Sequence, residues 1–509
     1  MRGLVKRGTG RAFGVLLTLG LVTPAGAAPP GLNASAPLVL TNTTGGKNQD
    51  PSVDRGGRVA VFTSNVNHQT GVSVPAIGAF DFDGSGNGTT PVGAAPPNPA
   101  CPTCAVGDPT AGNLFVWHRR AYAGDAPNTI RQLTFSTTGG FAANRFPDLD
   151  STGQWIAWDS ADDHTGGNPE GNREIFLHSL ADGSVTQITD TTGGSDAANR
   201  YASIADGGAR VAFESTRDFA AAACLRPDGV TACGNADGNN EIYVWDRASG
   251  QLTQVTATTG GDGTANSRPR ISPEGNLLAF QSTRDFSGAL SGGIACAQLD
   301  GSACVNDGNA EVMRFHLASR ELLQVTETAN SGPCAGTTSS ERVETTRAGK
   351  WLVWQSKCEA QLNAGGCGSC GGNDEVFLAD IARGQVIQVT ISDGGFNRVP
   401  RIAAGGAWLA FESNREFLGG NLAHARTIYV LRRSSRPATA GTARPVQLVE
   451  DAGLGLAQSP RTIASTVAFT GGFNTAIEIL GVSRNGRFVC FDNRKGVGNQ
   501  EIWLLDRKL

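Results

Sequence analysis

Short apolar runs recur along the chain in a fixed order. Trp155-Ile-Ala-Trp158 has relatives at Val59–Phe62, Val211–Phe213, Leu277–Phe280, Trp351–Trp354, Trp408–Phe411 and Phe488–Phe491, seven copies in all. Each is short, rich in strand formers and preceded by a Gly-containing turn such as Ser272-Pro-Glu-Gly-Asn276, the signature of a half-buried or buried strand after a tight turn. Before each turn a second run is expected to form a strand: Pro51–Val53, Pro147–Leu149, Ala202–Ile204, Pro269–Ile271, Val343–Thr345, Pro400–Ile402 and Leu480–Val482. After a loop of variable length comes a third, at Leu114–Trp117, Glu174–Leu177, Glu241–Trp245, Glu311–Met313, Glu375–Leu378, Thr427–Val430 and Glu501–Leu504. A fourth follows as a Gln-apolar-Thr unit at Gln132–Thr134, Gln187–Thr189, Gln254–Thr256, Gln324–Thr326 and Gln388–Thr390, shortened at Gln447-Leu448. We name the four strands a, b, c and d.

The last repeat ends at strand c. Its missing d strand has a counterpart at the other end, where Leu38-Val-Leu-Thr41 followed by Thr43-Thr-Gly-Gly46 matches Gln254-Val-Thr256 followed by Thr258-Thr-Gly-Gly261. Pairing the two ends closes the ring and removes sheet edges that invite aggregation. The expected fold is therefore all-β: a seven-bladed propeller of four-stranded antiparallel blades, closed by its N-terminal strand. Residues 451–476 read as an insertion, although Ser459–Ile463 and Val467–Phe469 resemble compressed a and b strands and admit eight blades.

Composition narrows the setting. The 68 glycines and two methionines suit a repetitive β domain spanning 28–509. A net charge of −4 without any Lys/Arg run argues against nucleic acid or an anionic membrane as partner. Residues 1–27 read as a signal peptide: Arg2, Lys6, Arg7 and Arg11 precede the apolar run from Ala12 to Val22, and Ala25-Gly-Ala27 supplies a small-residue cleavage site. No later segment is apolar enough to span a bilayer. A soluble, monomeric mature protein in the periplasm or outside the cell is expected, with a protein or polysaccharide partner in the envelope or beyond it.

The unit N-x-x-P-x-I-S-x-x-G-x-x-L-A-F-x-S-x-R-D, seen from Asn266 to Asp285, is followed by D-G-N-x-E-I-Y-V, seen from Asp237 to Val244 in the preceding repeat, and Q-V-T, seen at Gln254–Thr256. Together they resemble the TolB-type propeller repeat, over nearly all of the mature chain. The resemblance implies an exported binding propeller. TolB carries an α/β domain before its propeller, and here the propeller begins about ten residues after the leader, so the Tol–Pal role does not carry over.

Ten of the eleven cysteines fall in loops, and Cys490 takes a small buried position in strand b. An oxidising compartment favours local disulfides: Cys101 with Cys104, Cys224 with Cys233, Cys296 with Cys304, and Cys334 with Cys358 or Cys370. The pairs Cys101-Pro-Thr-Cys104 and Cys367-Gly-Ser-Cys370 also suit zinc or redox chemistry.

Candidate sites follow from departures from the repeat. The b–c loops are long in blades 1, 3, 4 and 5, which marks one face for binding. Asp81, Asp83, Ser85 and Asn87 space oxygen ligands as in a calcium loop, so calcium is the one cofactor the sequence admits; none other is expected. Asn144, Asn199, Asn266 and Asn397 (with Asn48) share a column at the entrance to strand a, and Arg145, Arg200 and Arg398 follow three of them. They form a candidate ring for an anionic ligand, or else turn residues. The repeated Glu174, Glu241, Glu311 and Glu501, each two residues after an asparagine, read as structural. His68 and His164, with Asp162 and Asp163 nearby, are the best acid–base or metal candidates, or else solvated loop residues. The favoured reading is a binding or scaffold propeller recognising a protein or polymer on its loop-decorated face. The alternative is a metal-dependent carbohydrate-active enzyme, lyase or glycosidase-like, using the central funnel.

Overall fold

The structure, a computed structural model, describes residues 38–506 apart from 42–47, 65, 68–79, 82–111, 122–126, 137–142, 194–198, 220–223, 261–265, 287–294, 329–339, 358–372, 393, 416–426, 433–448, 451–462, 469–477, 483–487 and 495–499. Residues 1–27, read as a signal peptide, Gln447-Leu448 and most of 451–476 lie outside them.

The chain winds into antiparallel sheets whose strands run a, b, c, d outward. Blade 4 shows the rule: Asn266–Ile271 pairs with Leu277–Ser282, which pairs with Glu311–His316, which pairs with Glu321–Gln324. Strand b is buried on both faces, as Leu278, Ala279 and Phe280 show. It therefore reads as a continuous apolar run instead of an alternating one.

The apolar cores lie between blades. Ala157, Ile175 and Leu177 of blade 2 pack with Phe213, Tyr243 and Trp245 of blade 3. Each fully buried aromatic contributes about 1.5–3 kcal/mol, so neighbouring blades hold each other. Close approach between blades also demands glycine. Gly349 has φ +59, and a Cβ there would lie 1.9 Å from Leu277 of the preceding blade.

The same contact closes the ring. A Cβ on Gly57 of blade 1 would lie 2.2 Å from the Phe488 ring. Leu38–Val39 pairs antiparallel with Gln500–Asp506, and the Leu40 N–H donates to the Ile502 carbonyl at 2.8 Å. Leu40, Phe62, Trp117, Phe488 and Ile502 share one buried cluster.

The expectation of seven four-stranded blades, or eight, needs correction. Six blades are built from consecutive strands, and the ring is completed by a composite closing sheet drawn from both ends of the chain. Two blades have five strands: Cys224–Leu225 runs parallel to Gln251–Gln254 in blade 3, and Cys296–Gln298 runs parallel to Glu321–Gln324 in blade 4. In blade 6 the fourth strand is Ile463–Ala468, paired with Thr427–Arg432. That strand comes from the segment read as an insertion, and it takes the residues an eighth blade would need. Val449–Glu450 pairs with Thr390–Ile391 instead.

The fifth strands show where two long b–c loops go. They turn back along the outer edge of the blade, pinned by the disulfides Cys224–Cys233 and Cys296–Cys304. The d-strand glutamine clamps each loop: Gln254 bonds both backbone groups of Gly234, at 2.9 and 3.1 Å, and Gln324 does so with Val305, at 3.0 and 2.6 Å. Cys490 is a buried thiol. Cys101, Cys104, Cys334, Cys358, Cys367 and Cys370 lie outside the described residues. Among the described residues no helix is long and apolar enough to cross a membrane.

Candidate binding site at the channel mouth

The inner strand of each of the six blades is six residues long and breaks register after its second residue, resuming at the fifth. The third residue absorbs the bulge in the left-handed region: Asp50, Phe146, Tyr201, Arg268, Arg342 and Val399 have φ between 48 and 56. For an L-residue that conformation costs about 1–2 kcal/mol. Bonds between blades hold it in place. The Tyr201 N–H donates to Asp159 of blade 2 at 3.4 Å, Arg268 to Glu214 of blade 3 at 2.7 Å and Val399 to Gln355 of blade 5 at 2.8 Å.

Five of these residues, Asp50, Phe146, Tyr201, Arg268 and Arg342, line a central cavity of about 400 Å³. The Phe146 and Tyr201 rings lie 4.6 Å apart, and the Arg268 guanidinium sits 5.4 Å from the Tyr201 centroid. Arg200 lies 5.7 Å from the same ring. Below the mouth, the fifth residues of the inner strands form a belt. Arg270 reaches Asp148 at 3.8 Å, two blades away, and Glu344 at 3.1 Å, while Arg401 meets Glu344 at 3.1 Å. Burial raises the Asp148 carboxyl above its ordinary range against the opposing charge of Arg270.

The asparagine column, read as a candidate ligand ring, is enclosed in the fold. Asn144, Asn199, Asn266 and Asn397 are fully buried. Asn199 donates to the Arg173 carbonyl at 2.8 Å and to Glu174 at 3.1 Å, and Asn266 repeats this with Asn240 and Glu241. Asn397 bonds Glu375 at 2.9 Å, and Asn144 bonds the Gly112 carbonyl at 2.8 Å. Each joins the entrance of one blade to strand c of the blade before it. The repeated glutamates are the partners in this staple, and burial pushes Glu241, Glu311 and Glu375 up to about 7.

The three candidate arginines answer buried carboxylates. Arg200 pairs with Glu214 at 3.2 Å, Arg398 pairs with Asp374, and Arg145 acts on Asp159, which Arg173 holds at 2.7 Å. None of the three lines the cavity.

His164 is 2 % exposed, so it is no solvated loop residue. Its Nε2 lies 3.0 Å from both Ser160 Oγ and Asn144 Oδ1, and its ring packs edge-on against Phe176 and Trp158. Burial lowers its pKa to about 4, so it is neutral at pH 7. Asp163 accepts the Gly166 N–H at 2.6 Å, bracing its own loop. His68, Asp83, Ser85 and Asn87 lie outside the described residues; Asp81 lies in a short strand paired with Val66–Asn67. Among the described residues no three His, Cys, Asp or Glu side chains converge on a metal position.

Sequence reasoning passed over Phe146, Tyr201, Arg268 and Arg342. The available signal was contrast between columns. Two residues after the shared asparagine, the residue type changes in nearly every blade.

No protein-family model matches the sequence, and no curated protein matches it. Solved structures similar to the chain are propellers. A putative TolB from Agrobacterium tumefaciens shares 13% identity over 67% of this chain and 80% of its own, with a TM-score of 0.34. The β-propeller domain of the Trilobed protease from Pyrococcus furiosus shares 9% over 91% and 94%, with a TM-score of 0.46. An oligogalacturonate lyase from Vibrio parahaemolyticus shares 10% over 92% of each chain, with a TM-score of 0.45. Identities this low speak to the fold alone. By its architecture the chain is a β-propeller of four- and five-stranded sheets.

Proposed function

We propose that the protein is an exported binding propeller, periplasmic or secreted, that engages a protein or polymer at the channel mouth on its b–c/d–a face. One observation carries the reading. The third column of the inner strands, five of whose residues line the cavity, varies from blade to blade, while the asparagine two residues before it recurs in five of the six blades. Repeated residues such as Asn266 and Glu241 do the same structural task in each blade. A backbone held in the left-handed region in six blades, bearing Asp, Phe, Tyr, Arg, Arg and Val, has no common structural task for those side chains.

The site is also built on strands, since the residues of the third column lie within the inner strands. Binding on a preformed mouth avoids ordering costs that a flexible loop would incur. No arrangement among the described residues favours the enzyme reading, since His164 is enclosed and already bonded.

A photoreactive amino acid placed at Tyr201 tests the reading, with Glu274 on the opposite face as control. Irradiation in envelope and culture-medium fractions should trap the same partner from position 201 and nothing from 274. Equal or absent trapping at the two positions would refute a mouth site.

A further inference from the structure

We propose that the mouth receives the carboxyl terminus of an extended peptide, with the terminal carboxylate on Arg268 and the last side chain against Phe146 and Tyr201. This rests on the mouth being the binding site. Three observations on the site select the chemistry.

Arg268 is poised for an anion. Arg270 and Arg401 are committed to Asp148 and Glu344. Among the described residues no carboxylate lies within ion-pair distance of the Arg268 guanidinium; its side-chain neighbour is the Tyr201 ring. Glu214, whose carboxylate takes the Arg268 backbone N–H, pairs with Arg200 at 3.2 Å, and the Arg268 charge is the weakest of the influences on it. A guanidinium stacked on a ring keeps its fork of donors open at the edge, the geometry that grips a carboxylate through two bonds. Arg342 lines the same cavity one blade on.

The neighbouring surface is aromatic. The Phe146 and Tyr201 rings lie 4.6 Å apart, inclined to each other at 33°. They offer a face for an apolar side chain and a donor for a carbonyl or carboxylate oxygen.

The cation and the rings adjoin. The Arg268 guanidinium lies 5.4 Å from the Tyr201 centroid, so a ligand that meets both carries an anion and a side chain next to each other. A peptide carboxyl terminus presents that pair.

The probe is a biotinylated mixture of random octapeptides, made as free acids and as C-terminal amides, with alginate oligosaccharide as a separate arm. The full-length protein should retain the free acids. Amidation, Arg268→Gln and Arg342→Gln should each cut retention by about tenfold or more with Tm unchanged. Equal retention of acids and amides, or full retention by a folded Arg268→Gln protein, would overturn the proposal. So would retention of alginate in place of peptides. If no peptide binds while position 201 still traps a partner, the terminus assignment fails and the mouth site stands.

Discussion

Asn266 Nδ2 donates to Glu241 Oε2 across 3.1 Å and so ties the entrance of blade 4 to strand c of blade 3. The same amide reaches the Asn240 carbonyl at 3.0 Å and Thr258 Oγ1 at 2.9 Å, all out of water. Asn266→Ala removes these contacts together with the bond that Ser282 Oγ donates to Asn266 Oδ1 at 2.8 Å, and it leaves a buried carboxylate short of a donor. The expected loss is about 2–4 kcal/mol by chemical denaturation, and Asn199→Ala should match it. A loss near zero would mean the staple does not hold the blades.

Stability should fall as pH rises through neutrality. Glu241, Glu311 and Glu375 have folded pKa values of about 7, above their unfolded value of 4.5. The folded state thus keeps protons that the unfolded state has released, and stability declines between those two values. Burial lowers His164 and His178 to about 4 from 6.5. Their contribution has the opposite sign and acts only below about pH 6.5. Between about pH 6.5 and 7.5 the carboxyls dominate, each with a slope of up to about 1.4 kcal/mol per pH unit. Calorimetry should show Tm dropping over that interval, less steeply in Glu311→Gln. A flat or rising Tm would contradict the assignment.

His164→Ala should destabilise by about 2–4 kcal/mol. The change empties a space between Trp158 and Phe176 and strips a partner from Asn144 Oδ1. Urea titration measures this. A neutral substitution would return His164 to the list of functional candidates.

The two disulfides should protect sheet edges. Cys224–Cys233 spans a separation of 9 residues, and losing it should cost about 2–3 kcal/mol. The larger effect is local, because the fifth strand Cys224–Leu225 covers the outer edge of Gln251–Gln254. In Cys224→Ser/Cys233→Ser, amide exchange at 251–254 should quicken, and light scattering should report self-association. Unchanged exchange there would show that the strand stays without its staple.

Much of this fold was legible in the chain. Buried b strands announce themselves as apolar runs, and Leu38–Thr41 matched a d strand closely enough to indicate its pairing with the C-terminal end. Cys224 and Cys233 are close in sequence, so their pairing was local. The fifth strands left no trace, because Cys224–Leu225 is two residues long and exists only through its parallel partner. In blade 6 the Gln447-Leu448 motif pointed to the wrong segment, and pairing selected Ile463–Ala468 instead. The asparagines attracted attention because they repeat, and they repeat because most blades use the same kind of staple, with Ser340 in its place in blade 5. The mouth was hidden for the opposite reason. Asp50, Phe146, Tyr201 and Arg268 share a backbone conformation that no shared residue type reveals.

The central claim is a division of labour: the varied column binds and the repeated column holds the fold. Its most direct test measures Tm and ligand retention together in four variants, Tyr201→Ala, Arg268→Ala, Asn199→Ala and Asn266→Ala. The first two should lose retention with Tm preserved, and the last two should lose Tm while the folded fraction retains ligand. Mouth variants that bind as well as the parent, or that unfold like the staple variants, would contradict the account.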